Sequence, residues 1–379
     1  FIAVIFFLYA GNRVVAQLPV PFSIIPEPQQ VSLLPGKGFD PARLKAIRLP
    51  AKTDLLIPGA HLSSLPENKQ AQLVLQIDST SNPLQQEAYT LRITATGIQI
   101  SAGHATGLFY GCQSLEQLLE DAIRFNQYIP AMTITDAPAI AYRAVHFDVK
   151  HHLDHANYYY RAIDRLARYK INAIVFEFED KLRYRRQPLV GAPHAISIEE
   201  MAALSRYAKK RNIEITPLVQ GLGHASYILK HEAYQPLREI PWNDWAFCPL
   251  HEPTYQVLFD LYRDAIEATP GSRYLHIGGD EIGNIGVCER CRPFVAKYGM
   301  GQLNAYWLKR VCAFAETQNR IPVFWDDMPL QEAGLYESTW NENISAAQAD
   351  SLWQDRSAIL DSLLPSFPRN GVFMRWNYS

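Results

Sequence analysis

The chain has 379 residues, enough for two or three average domains, although a single β/α barrel can itself take about 250 residues. Its hydrophobic fraction of 48% supports a real core, and 36 Lys+Arg against 38 Asp+Glu leave no basic excess, which speaks against nucleic acid as a partner. Aromatic residues, at 12%, suit sugar stacking, though most such rings fill cores.

Residues 1–10 (FIAVIFFLYA) form an apolar run too short to span a bilayer. They read as the apolar stretch of a secretory signal, with Val14-Val15-Ala16 before Gln17 as the cleavage region. The charged stretch that normally precedes such a run is missing, so the chain is read as starting inside a signal peptide covering residues 1–16. The protein is therefore expected to be exported, periplasmic or extracellular. A buried N-terminal strand is the competing reading. No other segment is apolar and long enough to be an integral membrane helix. The five cysteines (112, 248, 288, 291, 312) show no disulfide framework. Cys288 and Cys291 form a lone C-x-x-C, whereas a structural zinc needs about four ligands. His276 and His251 could complete such a set, but nothing in the sequence requires it. The thiols are read as free or locally paired, and no metal is assigned.

Residues 18–60 are Pro-rich and irregular, with a strand-like piece at 30–34. Alternating apolar residues predict half-buried strands at 71–77, 89–94 and 97–101. The period then changes: Leu108, Cys112, Leu115, Leu118 and Leu119 fall on one helical stripe. These elements predict an α+β domain over residues 17–138. A linker with Pro130 and Pro138 follows, and then strands alternate with helices. Strands are expected at 144–149, 173–178, 213–219, 274–277, 321–325 and 372–376. Helices are expected at 158–170, from a capping box at Ser197 and Glu200 to about 211, and around 258–266. Repeated β-α units predict parallel strands with helical crossovers. The six strands counted after residue 140 are two short of a closed barrel. The alternatives are an open α/β sheet or a TIM-type (β/α)8 barrel over residues 139–379 that is incomplete at its C-terminus. The second is adopted, because the beginning of the chain also looks cut.

Polar residues gather at the C-terminal ends of these strands: Asp148, Glu179-Asp180, Gln220 with His224, Asp280-Glu281, and Asp326-Asp327. In a β/α barrel that end carries catalysis. A ring of carboxylates suits glycoside hydrolysis, which needs a proton donor for the leaving oxygen and a group that stabilises a cationic sugar. The strongest motif is His276-Ile-Gly-Gly-Asp-Glu281. Its two glycines free the backbone at the strand end, so both carboxylates can enter one pocket.

His-x-Gly-Gly-Asp-Glu resembles the signature of family 20 glycoside hydrolases, the β-N-acetylhexosaminidases. Ala105-Thr-Gly-Leu-Phe-Tyr-Gly-Cys-Gln-Ser-Leu-Glu-Gln117, Ile129-Pro130, Asp136-Ala-Pro138, Tyr142-Arg143 and Gly223-His224 resemble other stretches of that family in the same order. The resemblance covers most of residues 25–379. It implies substrate-assisted, retaining catalysis without a cofactor. Asp280 would hold the substrate's acetamido N–H, and Glu281 would serve as acid and then base. Asp180 and His224 would tune the acid, with an ordinary structural pair as the alternative. Trp325 and Trp376 would wall the acetamido pocket, with plain core packing as the alternative for Trp376. The implied substrate is an oligosaccharide or glycoconjugate ending in β-linked N-acetylglucosamine or N-acetylgalactosamine.

The chain also departs from the pattern. Many members carry an Arg after the first barrel strand, where this sequence reads Asp148-Val-Lys-His-His152, so Lys150 or His151 would take its place. The second strand runs into Glu177-Phe-Glu-Asp-Lys-Leu-Arg, closer to the hexosaminidase D branch, which leaves the choice between the two amino sugars open. A metal-dependent enzyme using Cys288 and Cys291 lacks enough ligands, and two other readings stand beside this one. One is a different hydrolase with an adjacent acid pair acting on N-acetylated sugars. The other is a non-catalytic glycan-binding protein on the same scaffold, against which the intact Asp280-Glu281 pair argues.

Overall fold

The computed structural model describes residues 17–51, 53–78 and 85–375. Residues 1–16, the expected signal segment, and Trp376 lie outside the described residues. The chain divides into two units, one made of residues 1–143 with 164–171, the other of 144–163 with 172–379.

The first unit holds β1 (Gln30–Leu33), β2 (Ile47–Arg48), α1 (Ala60–Ser63), β3 (Leu73–Ile77), β4 (Tyr89–Ile93), β5 (Ile98–Ala102), α2 (Ala105–Phe125) and β6 (Met132–Asp136). Its sheet runs β1-β6-β4-β5-β3-β2. The β5 strand pairs antiparallel with β4 and parallel with β3. The alternation read from the sequence appears as burial: Tyr89, Leu91 and Ile93 point inward from β4, and Ile98, Ile100 and Ala102 from β5. Helix α2 lays Leu108, Cys112, Leu115, Leu118 and Leu119 into this core, all at most 1% exposed. It ends where Asn126 turns left-handed (φ 52°) and caps the last turn.

The second unit holds β7 (Ala144–Asp148), α3 (Ala156–Arg168, of which residues 164–168 count with the first unit), β8 (Ala173–Glu177), α4 (Ile198–Lys209), β9 (Glu214–Leu218), α5 (Ser226–Leu229), β10 (Arg238–Ile240), β11 (Asn243–Phe247), α6 (Glu252–Ala268), β12 (Tyr274–His276), α7 (Cys291–Tyr298), α8 (Met300–Thr317), β13 (Ile321–Trp325), α9 (Asp327–Glu332), α10 (Ala346–Leu363) and β14 (Val372–Met374). Six strands form one parallel sheet in the order β14-β13-β12-β9-β8-β7, a half-barrel. The six expected strands are all present. The capping box at α4 is also formed: Ser197 Oγ accepts from the Glu200 N–H (3.2 Å), and Glu200 Oε2 accepts from the Ser197 N–H (2.9 Å). The β10–β11 hairpin, inserted between β9 and α6, is an addition to the expected elements.

The two faces of the parallel sheet differ in chemistry. Phe147 and Phe176 pack with Tyr159 of α3 on the helix-covered face. Val175, Leu218 and Trp325 cluster on the other, with Met374 against them. That inner face also carries the polar groups at the C-terminal strand ends. At the edge strand β7 its residues lie open, with Ala144, His146 and Asp148 exposed.

Candidate active site

The site is built from the loops that follow β7, β8, β9, β12 and β13. Its centre is the turn after β12. Burial pushes the His276 imidazole down to about 3, so the ring is neutral. Its Nδ1 accepts from the Gly278 N–H (3.1 Å), which leaves the ring proton on Nε2. Gly278 adopts φ +70°, and a Cβ there would stand 1.9 Å from Gln220 Oε1. Only glycine fits this position, and the backbone turn it makes aims the following carboxylates away from strict strand alternation.

Asp280 and Glu281 both approach the same nitrogen of one imidazole. His224 Nε2 is 3.3 Å from Asp280 Oδ2 and 3.2 Å from Glu281 Oε2. These are charge contacts without hydrogen-bond alignment, since Nε2 has no aligned partner. Burial disfavours the His224 imidazolium, but Asp280, with help from Glu281, outweighs it and raises the pKa above the usual histidine value. Asp280 Oδ1 is buried without a hydrogen-bond partner among the described residues. Glu281 is different: its side chain is 53% exposed, at the mouth of the site. Its backbone is pinned from two sides. Its N–H donates to Asp327 Oδ2 (3.1 Å), and its carbonyl accepts from Trp245 Nε1 (3.0 Å). Trp245 belongs to β11 and also packs its ring on His224, with centroids 4.4 Å apart.

The floor is formed by β7, β8 and β9. Glu177 closes β8 at 1% exposure. Its carboxylate meets His146 Nε2 (3.0 Å), Lys150 Nζ (3.3 Å) and Gln220 Nε2 (2.9 Å). Burial alone would raise its pKa. The His146 hydrogen bond, the Lys150 charge and Gln220 outweigh burial and hold it at about 2. Glu179, two residues on, is raised to about 7, first by burial and then by repulsion from Glu177, with Lys150 and His224 opposing. Lys150, which also meets Asp148 at 3.1 Å, is held above the usual lysine value: burial works against its charge, and Glu177 and Asp148 more than offset that.

The expected site residues are thus placed as follows. Asp280, Glu281 and His224 come together. Lys150 stands on the floor through Glu177. Trp325 ends β13 at 7% exposure, with its ring 4.5 Å from that of His276, so it walls the inner face. Asp180 pairs with Lys181 and with Lys230 (3.1 Å); these lysines, not His224, are its ionic partners. His151 is exposed. His276 and His251 are not part of the group that three of the cysteines form, whose fourth member is Glu239. Glu177, His146 and Trp245 are site residues that motif reading passes over, whereas Asp327 is among the carboxylates read at the strand ends. The signal for Glu177 was a carboxylate ending an otherwise wholly apolar strand, which must find partners when buried.

Comparisons with known proteins bear on the family and the fold. Residues 22–137 match the model of glycosyl hydrolase family 20, domain 2, and residues 140–362 match that family's catalytic domain, which is more than half of the chain. A beta-hexosaminidase of Porphyromonas gingivalis is 26% identical over 335 residues, covering 78% of this chain and 42% of that protein. Hexosaminidase D of Bos taurus is 29% identical over 194 residues, covering 49% of this chain and 55% of that protein. The chain thus spans about half the length of these curated relatives. Among solved structures, a beta-N-acetylhexosaminidase from Bacteroides fragilis superposes with a TM-score of 0.69 at 21% identity, covering 89% of this chain and 73% of that one. A mutant Streptomyces plicatus beta-hexosaminidase with its product GlcNAc gives 0.65 at 24% identity, covering 84% and 68%. The structural likeness shows a shared fold, with a TIM-barrel catalytic domain, and the family match shows descent: the chain belongs to glycosyl hydrolase family 20.

Proposed function

We propose that the protein is an exo-acting β-N-acetylhexosaminidase that removes terminal β-linked N-acetylglucosamine or N-acetylgalactosamine with retention of configuration. The observation that carries the proposal is the unequal pair at the β12 turn. Among the described residues Asp280 keeps a buried carboxylate oxygen without a partner, and Glu281 beside it reaches solvent. A buried acceptor left unpaired is costly, and the N–H of an acetamido group would satisfy it.

In the first step the substrate's acetamido carbonyl oxygen attacks C1. The C1–O glycosidic bond breaks, and the Glu281 carboxyl proton passes to the leaving oxygen. The positive charge of the resulting oxazolinium falls on the group that faces Asp280, and His224 holds both carboxylates in place. In the second step water attacks C1 and gives its proton to Glu281, and the C1–O bond to the acetamido oxygen breaks. Two inversions restore the original configuration. Trp325 and His276 provide the apolar wall that shapes the acetamido pocket. Support for the reading comes from the family match, the site geometry and the names of the relatives.

The test uses the full-length gene product with nitrophenyl β-N-acetylglucosaminide, its N-acetylgalactosamine epimer and the plain β-glucoside. Only the two acetamido substrates should be cleaved, and Glu281→Gln and Asp280→Asn should each lower kcat by about 10²–10⁴-fold. Equal cleavage of the plain glucoside would overturn the mechanism, since that sugar has no internal nucleophile. Binding of acetamido sugars without turnover would favour the glycan-binding reading.

A further inference from the structure

A second cluster of chemically capable groups lies behind the β12 turn, outside the machinery described above. Glu239, Cys248, Cys288 and Cys291 each bring a ligand-type atom within 4.8 Å of the others. Glu239 is 1% exposed, Cys248 and Cys291 are fully buried, and only Cys288 is partly open. Cys248 Sγ lies 3.5 Å from Cys288 Sγ and 3.6 Å from Cys291 Sγ. Around one zinc ion, with Zn–S bonds of about 2.3 Å, tetrahedral thiolates stand about 3.8 Å apart, so these separations match the edge of a zinc tetrahedron.

The fourth ligand is prepared. Glu239 Oε1 accepts from the Val287 N–H (2.7 Å) and the Cys288 N–H (2.9 Å), which fixes the plane of the carboxylate. Its Oε2 is buried with no hydrogen-bond partner among the described residues. The Cys291 N–H points at Cys288 Sγ (3.4 Å), the kind of outer contact that orients a metal-bound thiolate. A buried carboxylate oxygen beside three sulfurs, with no donor of its own, is an unexplained cost in the absence of a cation.

We propose that Glu239, Cys248, Cys288 and Cys291 form a closed, structural zinc site. It would join three segments: Glu239 from β10, Cys248 just after β11, and Cys288 and Cys291 from the loop that leaves the Asp280-Glu281 turn and enters α7. The ion would therefore tie the loop that carries Glu281 to the hairpin whose Trp245 holds the Glu281 carbonyl. Four protein ligands leave no open position, so the ion would play a structural part and stay out of the chemistry.

Metal content of the full-length protein, purified without chelator and measured by mass spectrometry of the elements, is the direct test. It should show about one zinc per chain, and Cys248→Ser/Cys291→Ser should hold less than about a fifth of that. Glu239→Gln keeps the acceptor for the two N–H groups but removes the charge, and it should weaken zinc retention against a chelator by about tenfold or more. Replacing zinc by cobalt in the unaltered protein should give thiolate-to-metal charge-transfer bands and strong tetrahedral d–d bands, which keeps the test decisive if the double variant does not fold. No bound zinc in protein whose cysteines all alkylate would overturn the proposal. So would recovery of any two of Cys248, Cys288 and Cys291 as a disulfide by peptide mapping. Metal content is read without any glycosidase assay, so failure here and failure of the hexosaminidase reading are separate results.

Discussion

Glu177 and Glu179 stand two residues apart and titrate in opposite directions, because one has cationic and amide partners and the other has mainly burial and a like charge. Glu177 is held at about 2 by His146, Lys150 and Gln220 against the pull of burial. It ionises more readily in the fold than in the unfolded chain. Its stabilisation is therefore complete above about pH 4.3 and is lost as pH falls through about 2. Glu177→Gln should cost about 3 kcal/mol near neutrality, and the gap to the parent should close in acid. Glu179, raised to about 7 by burial and by Glu177, behaves in reverse. Between about pH 4.3 and 7 the fold keeps a proton that the unfolded chain has released, so this group lowers stability as pH rises. Glu179→Gln should be neutral near pH 4 and stabilising by on the order of 1–3 kcal/mol above pH ~7. Denaturant melts of both variants across pH check the pair, and parallel rather than opposed pH trends would refute the assignment. A sequence offers no access to such a split. Glu177-Phe-Glu179 shows two acidic residues, and only the parallel pairing that sets β7 and β9 on either side of β8 decides which one meets His146, Lys150 and Gln220.

At the scale of elements, much of what was legible followed from periodicity, although α8 went unread despite a stripe through Leu303, Trp307, Leu308, Val311, Cys312 and Ala315. The six parallel strands could be read because each is a short apolar run, and α2 and α4 because their apolar stripe or cap is local. The β10–β11 hairpin was not, since strands of three and five residues around Pro241-Trp242 carry no alternation long enough to count. Helix α10 escaped for a related reason: it has no fully buried residue, so no stripe marks it. Yet the hairpin is what steadies the site, through Trp245. Trp245→Phe keeps a ring against His224 and removes only the donor to the Glu281 carbonyl. One hydrogen bond of about 1 kcal/mol corresponds to roughly a fivefold loss. On the proposed acetamido substrates that loss should fall on kcat, with KM changed less than about twofold and the melting temperature nearly unmoved. A loss confined to KM would show that Trp245 contacts the sugar instead of positioning Glu281. The same hairpin supplies Glu239 and leads into Cys248, so the zinc proposal and the Trp245 prediction concern one structural device read at two points.

At the scale of the molecule, a boundary at residue 138, as expected from the sequence, cuts through a buried network of the first unit. Asp136 closes β6, and its Oδ2 meets Lys170 Nζ (2.7 Å) and the Tyr89 hydroxyl (3.0 Å), while Tyr89 also bonds Ser114 (2.6 Å). Gln29 donates its N–H to the other oxygen of Asp136 (3.2 Å). Lys170 and Asp136 expose only 9% and 11% of their side chains. Burial pushes the Lys170 ammonium below its usual value even with Asp136 opposing, so the pair is held by mutual need rather than by surplus attraction. Lys170 belongs to the first unit although it lies beyond β7 in the chain, which no reading of local composition can reveal. Lys170→Met should destabilise the protein by about 3–5 kcal/mol, because it strands a carboxylate in the core. Adding Asp136→Asn removes the stranded charge, so the double variant should recover more than half of the loss even though it lacks both partners. Equal stability of the single and double variants in denaturant melts would show that Lys170 acts through packing alone. Recovery would show that charge balance holds residues 29, 89, 114, 136 and 170 together as one unit.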